Sequence, residues 1–249
     1  MRHSRFSGEL EIPAYNFSPL KITKFLLTII TFLVLFNIAE RGLVRWLNAV
    51  NGTQLISHYF NFDQESNFPS IYSALALGFC SYLLTIIASL KKINRARFAN
   101  HWKALSLIFL FLAIDEACSI HELFIPFLRS GINAKGIFYF TWVIPAFLLL
   151  IVFLITFRKF IHNLPAKTKT LFVTAGIIYV GGALGMELVG GYIADNFGYN
   201  TVYGIASSIE EILEMLGVVI FINGLLSYIQ SQSKQVRFSI SFDSTYNKS

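Results

Sequence analysis

Leu105-Ser106-Leu107-Ile108-Phe109-Leu110-Phe111-Leu112-Ala113-Ile114 is an almost purely apolar run, and it passes without a break signal into Asp115-Glu116-Ala117-Cys118-Ser119-Ile120-His121-Glu122. A stretch this long and this apolar reads as a helix crossing a membrane. Three acids and a histidine inside it are the anomaly. An ionisable group at the bilayer centre costs about 2.5 to 3.5 kcal/mol even on lenient insertion scales, so such groups face a protein interior or a wet cavity and mark function.

Working outward from this stretch, apolar runs long enough to cross about 30 Å of hydrocarbon occur six times, at approximately 22–46, 69–90, 104–127, 137–157, 170–193 and 205–229. The expected fold is therefore all-α, a polytopic transmembrane bundle of six helices. Residues 1–21 form a cytoplasmic N-terminal segment, 22–229 the membrane domain and 230–249 a Ser-, Gln- and Lys-rich cytoplasmic tail. Composition agrees: of 249 residues 55% are hydrophobic and only 14% charged, and the mean hydropathy of +0.59 is too high for a soluble domain.

The formal charge of +6 does not indicate nucleic acid. Its basic residues sit in short clusters around the apolar runs: Arg2, Arg5, Lys21 and Lys24; Lys91, Lys92, Arg95, Arg97 and Lys103; Arg158, Lys159, Lys167 and Lys169; Lys234, Arg237 and Lys248. The positive-inside rule accounts for these clusters and places both termini in the cytoplasm. The expected location is a bacterial inner (plasma) membrane, with the lipid bilayer as the partner. Residues 1–20 carry Glu9, Glu11 and Pro13 and no continuous apolar core, so the first helix is expected to direct insertion. Cys80 and Cys118 lack metal or redox spacing and read as packed core thiols. Tyr59, Phe60, Phe62, Phe197, Tyr199 and Tyr203 in the outer loops read as interface anchors. His58, His101 and His162 read as solvated loop residues, and Asn51-Gly52-Thr53 matches a glycosylation triplet too common to carry weight.

Eight acids lie in or at the ends of the apolar segments: Glu40, Asp115, Glu116, Glu122, Glu187, Glu210, Glu211 and Glu214. At about 1.5 Å per residue, the acids of the third, fifth and sixth segments fall at overlapping depths in the outer half of the bilayer. Asp115, Ser119 and Glu122 share one helical stripe, and Glu210, Glu211 and Glu214 span about 100° of another. In the fifth segment Gly176, Gly181, Gly182, Gly185, Gly190 and Gly191 surround Glu187, and Gly181-xxx-Gly185 has the spacing that lets helix backbones touch.

Against these acids the region offers Arg41, Arg45 and His121, so the cluster must hold protons, bind cations or do both. A carboxylate set with one imidazole suits a divalent metal such as Fe, Mn, Ca or Mg. The expected metal ligands are Asp115, His121, Glu122, Glu187, Glu211 and Glu214. Glu116, His121 and Glu210 are the expected acid/base groups, and Glu40 with Arg41 a structural ion pair. The repeated Glu-x-x-His of di-iron bundles and the His-Glu-x-x-His of zinc hydrolases are both absent. Any single acid is equally well explained as helix glue; the whole set, on four segments at one depth, points to function.

The segments Ala113-Ile114-Asp115-Glu116-Ala117-Cys118-Ser119-Ile120-His121-Glu122 and Ile209-Glu210-Glu211-Ile212-Leu213-Glu214-Met215-Leu216-Gly217 resemble an uncharacterised family of bacterial multi-pass membrane proteins. That resemblance implies a membrane protein and no mechanism. The leading expectation is a buried carboxylate–histidine cation site opening to the extracytoplasmic side, in a metal-dependent enzyme acting on a lipid or amphiphile. The rivals are a proton- or cation-coupled small-molecule transporter, in which a homodimer would offset the short chain, and an accessory subunit of a membrane complex.

Overall fold

Each apolar run becomes helix, and the computed structural model describes residues 18–47, 59–62, 67–132 and 134–232. The helices are α1 Pro19–Leu47, α2 Phe68–Ile93, α3 Ala99–Cys118, α4 Ile120–Ile132, α5 Val143–His162, α6 Ala166–Val180, α7 Glu187–Phe197 and α8 Thr201–Gln232. A π-helical segment, Gly181–Met186, joins α6 to α7, and a 3-10 turn, Gly136–Phe138, precedes α5. No strand occurs among the described residues.

Local chemistry sets the ends. Asn67 and Ser70 form a reciprocal capping box at the start of α2 (Ser70 N to Asn67 Oδ1 3.0 Å, Asn67 N to Ser70 Oγ 2.9 Å), and the helix finishes on Lys91 and Lys92, whose charge suits the negative end of the dipole.

Among the described residues, five helices are long and apolar enough to cross a membrane: Pro19–Leu43, Phe68–Ile93, Val143–His162, Ala166–Phe197 and Thr201–Gln232. The third expected crossing stands apart for two reasons. Lys103, Asp115 and Glu116 load α3 with charge, and the helix breaks at Ser119, which sits in the left-handed region at φ 49° and ψ 43°. Residues 104–127 are therefore two helices rather than one.

α8 is the hub, packing on α1, α2, α6, the π segment and α7. The main core joins α2, α3, α5, α6 and α8 around Leu84, Trp102, Phe160, Phe172, Ile222 and Leu225. A smaller one joins α1 to α8 through Ile30, Leu33, Met215 and Val219, with Phe62 from the loop after α1. Polar contacts also join α2 to α3: Ser81 Oγ donates to Ser106 O at 2.8 Å, and Thr85 Oγ1 lies 2.7 Å from Ser106 Oγ. The outer surface is conversely apolar, with Phe147, Leu148, Leu149, Val152 and Ile155 of α5 all exposed, as a lipid-facing helix requires.

Several expectations change at this level. Gly181 and Gly185 have nothing within 4 Å of an added Cβ, so the Gly-xxx-Gly pair does not pack inside the chain. Gly182 does instead. A Cβ there would lie 2.8 Å from the Glu210 carbonyl and 3.1 Å from Glu214 Cγ, so only glycine allows α8 this close. Phe60 is no free interface anchor: it stacks between Phe36 of α1 and Phe68 of α2 at 4.9 and 5.0 Å, and Phe62 is buried. His101 is half-buried in the first turn of α3, its ring edge-on to Phe98 and Phe157 and stacked on Phe160 at 5.1 to 5.7 Å. Cys80 is buried as expected, but Cys118 is exposed at the helix break. His58, the 51–53 triplet and the side chain of Arg45 lie outside what is described.

Candidate functional site

The break at Ser119 ends the expected Asp115–Ser119–Glu122 stripe and gives Asp115 a different task. Its Oδ1 accepts from the His121 backbone N–H at 2.8 Å, which caps the first turn of α4, while its Oδ2 lies 3.0 Å from His121 Nδ1. One carboxylate thus holds both the helix and the imidazole. The pair is three-quarters or more buried, with side-chain exposures of 17% for Asp115 and 24% for His121. Such an arrangement fixes the ring orientation and stabilises an imidazolium if one forms.

The His121 ring packs at 4.8 Å against Trp142, which precedes α5. Trp142 Nε1 in turn donates to Glu187 Oε1 at 2.7 Å. Glu187 is the first residue after the π segment, a helix form that recurs at functional sites because its extra residue re-aims the side chains that follow. It lies beside Glu210 of α8 and within electrostatic reach of His121 and of Glu122, which is itself exposed. Glu210 has Glu211 and Glu214 within the same range.

Tyr179 of α6 lies within electrostatic reach of Asp115, Glu116, Glu211 and Glu214. Its backbone is held there by Gly217, where an added Cβ would meet Tyr179 N and Cβ at 2.8 Å. Acids of the third, fifth and sixth segments thus fall within electrostatic range of Tyr179 or of Glu187 and Glu210. They gather around Tyr179 and the Glu187–Glu210 pair, at the end of the bundle away from the Lys91–Gln232 contact.

Glu40 and Arg41 belong to a neighbouring cluster. Glu40 is buried. Arg41 donates to Asn37 Oδ1 at 3.3 Å and Asn61 Oδ1 at 3.1 Å, and its guanidinium lies directly on Gly204 of α8. Asn37 also accepts from Ser208 at 3.3 Å and donates to Phe60 O at 3.0 Å. Ser207 of α8 donates to Phe62 O at 3.1 Å. This network straps the loop before α2 to α1 and α8.

Trp142 and Tyr179 are the members that sequence reasoning missed. A tryptophan at the end of an apolar helix reads as an interface anchor, and a tyrosine in an apolar run reads as core. A pairwise signal was present only in the acids. Among the described residues, no group of three or more His, Cys, Asp or Glu side chains is arranged to hold a metal ion.

No curated protein and no solved structure matches the chain. A family model does, over residues 25–229, which takes in every helix that builds the site. The chain belongs to the family described as domain of unknown function (DUF8692).

Proposed function

We propose that this integral membrane protein is built around an exchangeable proton, held between Glu187 and Glu210 and exchanged through the Asp115–His121 pair, and that it couples this proton to the passage of a small solute. The observation that carries the reading is the close approach at Gly182, which lets the π segment lie on the Glu210 carbonyl of α8 and brings Glu187 and Glu210 side by side. Two carboxylates held this close in an apolar surround repel each other, and sharing one proton relieves the repulsion. The helix break at Ser119 and the π segment before Glu187 support transport, because interrupted helices are how membrane carriers place binding groups inside the bilayer.

In this reading α3 and α4 together make the sixth crossing, both termini are cytoplasmic, and the acid cluster opens towards the outer side of a plasma membrane. A divalent cation is the alternative occupant, and element analysis of the purified protein separates the two.

A second reading rests on Asp115 and His121, whose geometry is that of a general base and its orienting carboxylate. It makes the protein an enzyme on a lipid or amphiphile. A pH-jump flux assay in proteoliposomes, with protein carrying Glu187→Gln beside the wild type, distinguishes them. Solute flux with stoichiometric proton movement, abolished by Glu187→Gln, is the expected result. Product formation without flux favours the enzyme, and full flux in the variant overturns the proton reading.

A further inference from the structure

At the end of the bundle away from the acid cluster, a cavity of about 370 Å³ opens between the first turns of α1 and α6 and the last third of α8. Its polar lining includes Lys167, Asn223, Ser227 and Gln230, and its apolar lining includes Leu20 and Leu171. No acid lines it among the described residues. Ser227 donates to Asn223 Oδ1 at 3.2 Å, which orients that amide so that its nitrogen, a donor, is the group left for a ligand. α6 starts beside Lys167 with no side-chain cap hydrogen bond, so the positive end of its dipole adds to the lysine charge.

Depth decides what fits. Asn223 and Gln230 are seven residues apart on α8, about 10 Å along its axis, so the polar wall runs from the headgroup level into the hydrocarbon. A soluble anion would not need leucines on the facing wall, and Leu20 is exposed to the surroundings. Basic pockets between membrane helices suit phosphate-bearing headgroups. We propose that this cavity binds the phosphate of an anionic phospholipid, with Lys167 as its counter-charge, Asn223, Ser227 and Gln230 as hydrogen-bonding partners, and Leu20 and Leu171 alongside the acyl chains. The site is independent of the proton cluster.

The test uses the full chain in nanodiscs of mixed phosphatidylglycerol and phosphatidylcholine, with retained lipid read by native mass spectrometry. Wild type is expected to retain phosphatidylglycerol preferentially, and Lys167→Gln to lower that retention about fivefold, the effect of one lysine near a membrane surface. Lys167 is exposed, so the substitution spares the fold. Asn223→Leu is expected to act in the same direction, while Lys92→Gln, a lysine outside the cavity, leaves retention unchanged. Equal retention of the two lipids, or equal loss in the Lys92 and Lys167 variants, overturns the proposal. Displacement of the lipid by inorganic phosphate would assign the site to a soluble anion and overturns it too.

Discussion

Gly182→Ala isolates the contact on which the acid cluster depends. The added Cβ would sit 2.8 Å from the Glu210 carbonyl oxygen, 3.0 Å from Leu213 Cβ and 3.1 Å from Glu214 Cγ. A carbonyl in mid-helix cannot swing aside as a flexible side chain can. Reaching an ordinary contact of 3.4 Å therefore requires the π segment and α8 to part by about 0.6 Å. Overpacking of this kind costs about 1 to 3 kcal/mol. At about 2 to 4 °C per kcal/mol for a chain of this size, the melting temperature should fall by about 2 to 12 °C. Gly181→Ala is the control, one residue away and facing open space; losing glycine's backbone freedom should leave it unchanged or raise stability by up to about 1 kcal/mol. Thermal unfolding of both variants in one detergent is sufficient. Equal stability of the two would refute the close approach of the π segment to α8, and with it the placement of Glu187 beside Glu210.

Other substitutions probe the remaining links. Trp142→Phe keeps the ring against His121 but removes the 2.7 Å bond to Glu187; a loss of about 1 to 3 kcal/mol in unfolding is expected, and an unchanged midpoint would mean that the indole N–H does not bind there. Asp115→Ala removes the acceptor that caps α4 and should cost about 0.5 to 2 kcal/mol. Asp115→Asn should recover most of that stability while still losing proteoliposome flux, because the amide keeps the cap but not the charge opposite His121. Flux that recovers together with stability would reduce Asp115 to a cap.

Element positions were largely legible. The expected runs 22–46, 69–90 and 205–229 lie within the observed Pro19–Leu47, Phe68–Ile93 and Thr201–Gln232, because long apolar stretches leave the backbone no partner in lipid except its own helix. The break at Ser119 was not legible: no glycine or proline marks it, and it exists because Asp115 and the His121 backbone N–H bond across it. Nor could spacing say which glycine meets α8, since Gly181, Gly182 and Gly185 differ only in the direction they face, and the π segment changes that direction.

For the site, the charge imbalance singled out the helices that carry the acids, and the cost of an ionised group in lipid made those acids improbable as lipid-facing groups. The groups that connect them escaped notice because Trp142 and Tyr179 are aromatic, and aromatic residues in an apolar chain look like packing. Cys118 shows the opposite error: apolar neighbours in sequence suggested a core thiol, but the helix end leaves it exposed.

Infrared difference spectroscopy of the protonated-carboxyl C=O stretch, on wild type and on the Glu187→Gln and Glu210→Gln variants at neutral pH, bears most directly on the shared proton. The account predicts one protonated-carboxyl band in wild type that shifts on deuterium exchange and disappears or moves in each single variant. A wild-type spectrum without that band, or a band unaffected by both substitutions, would contradict it.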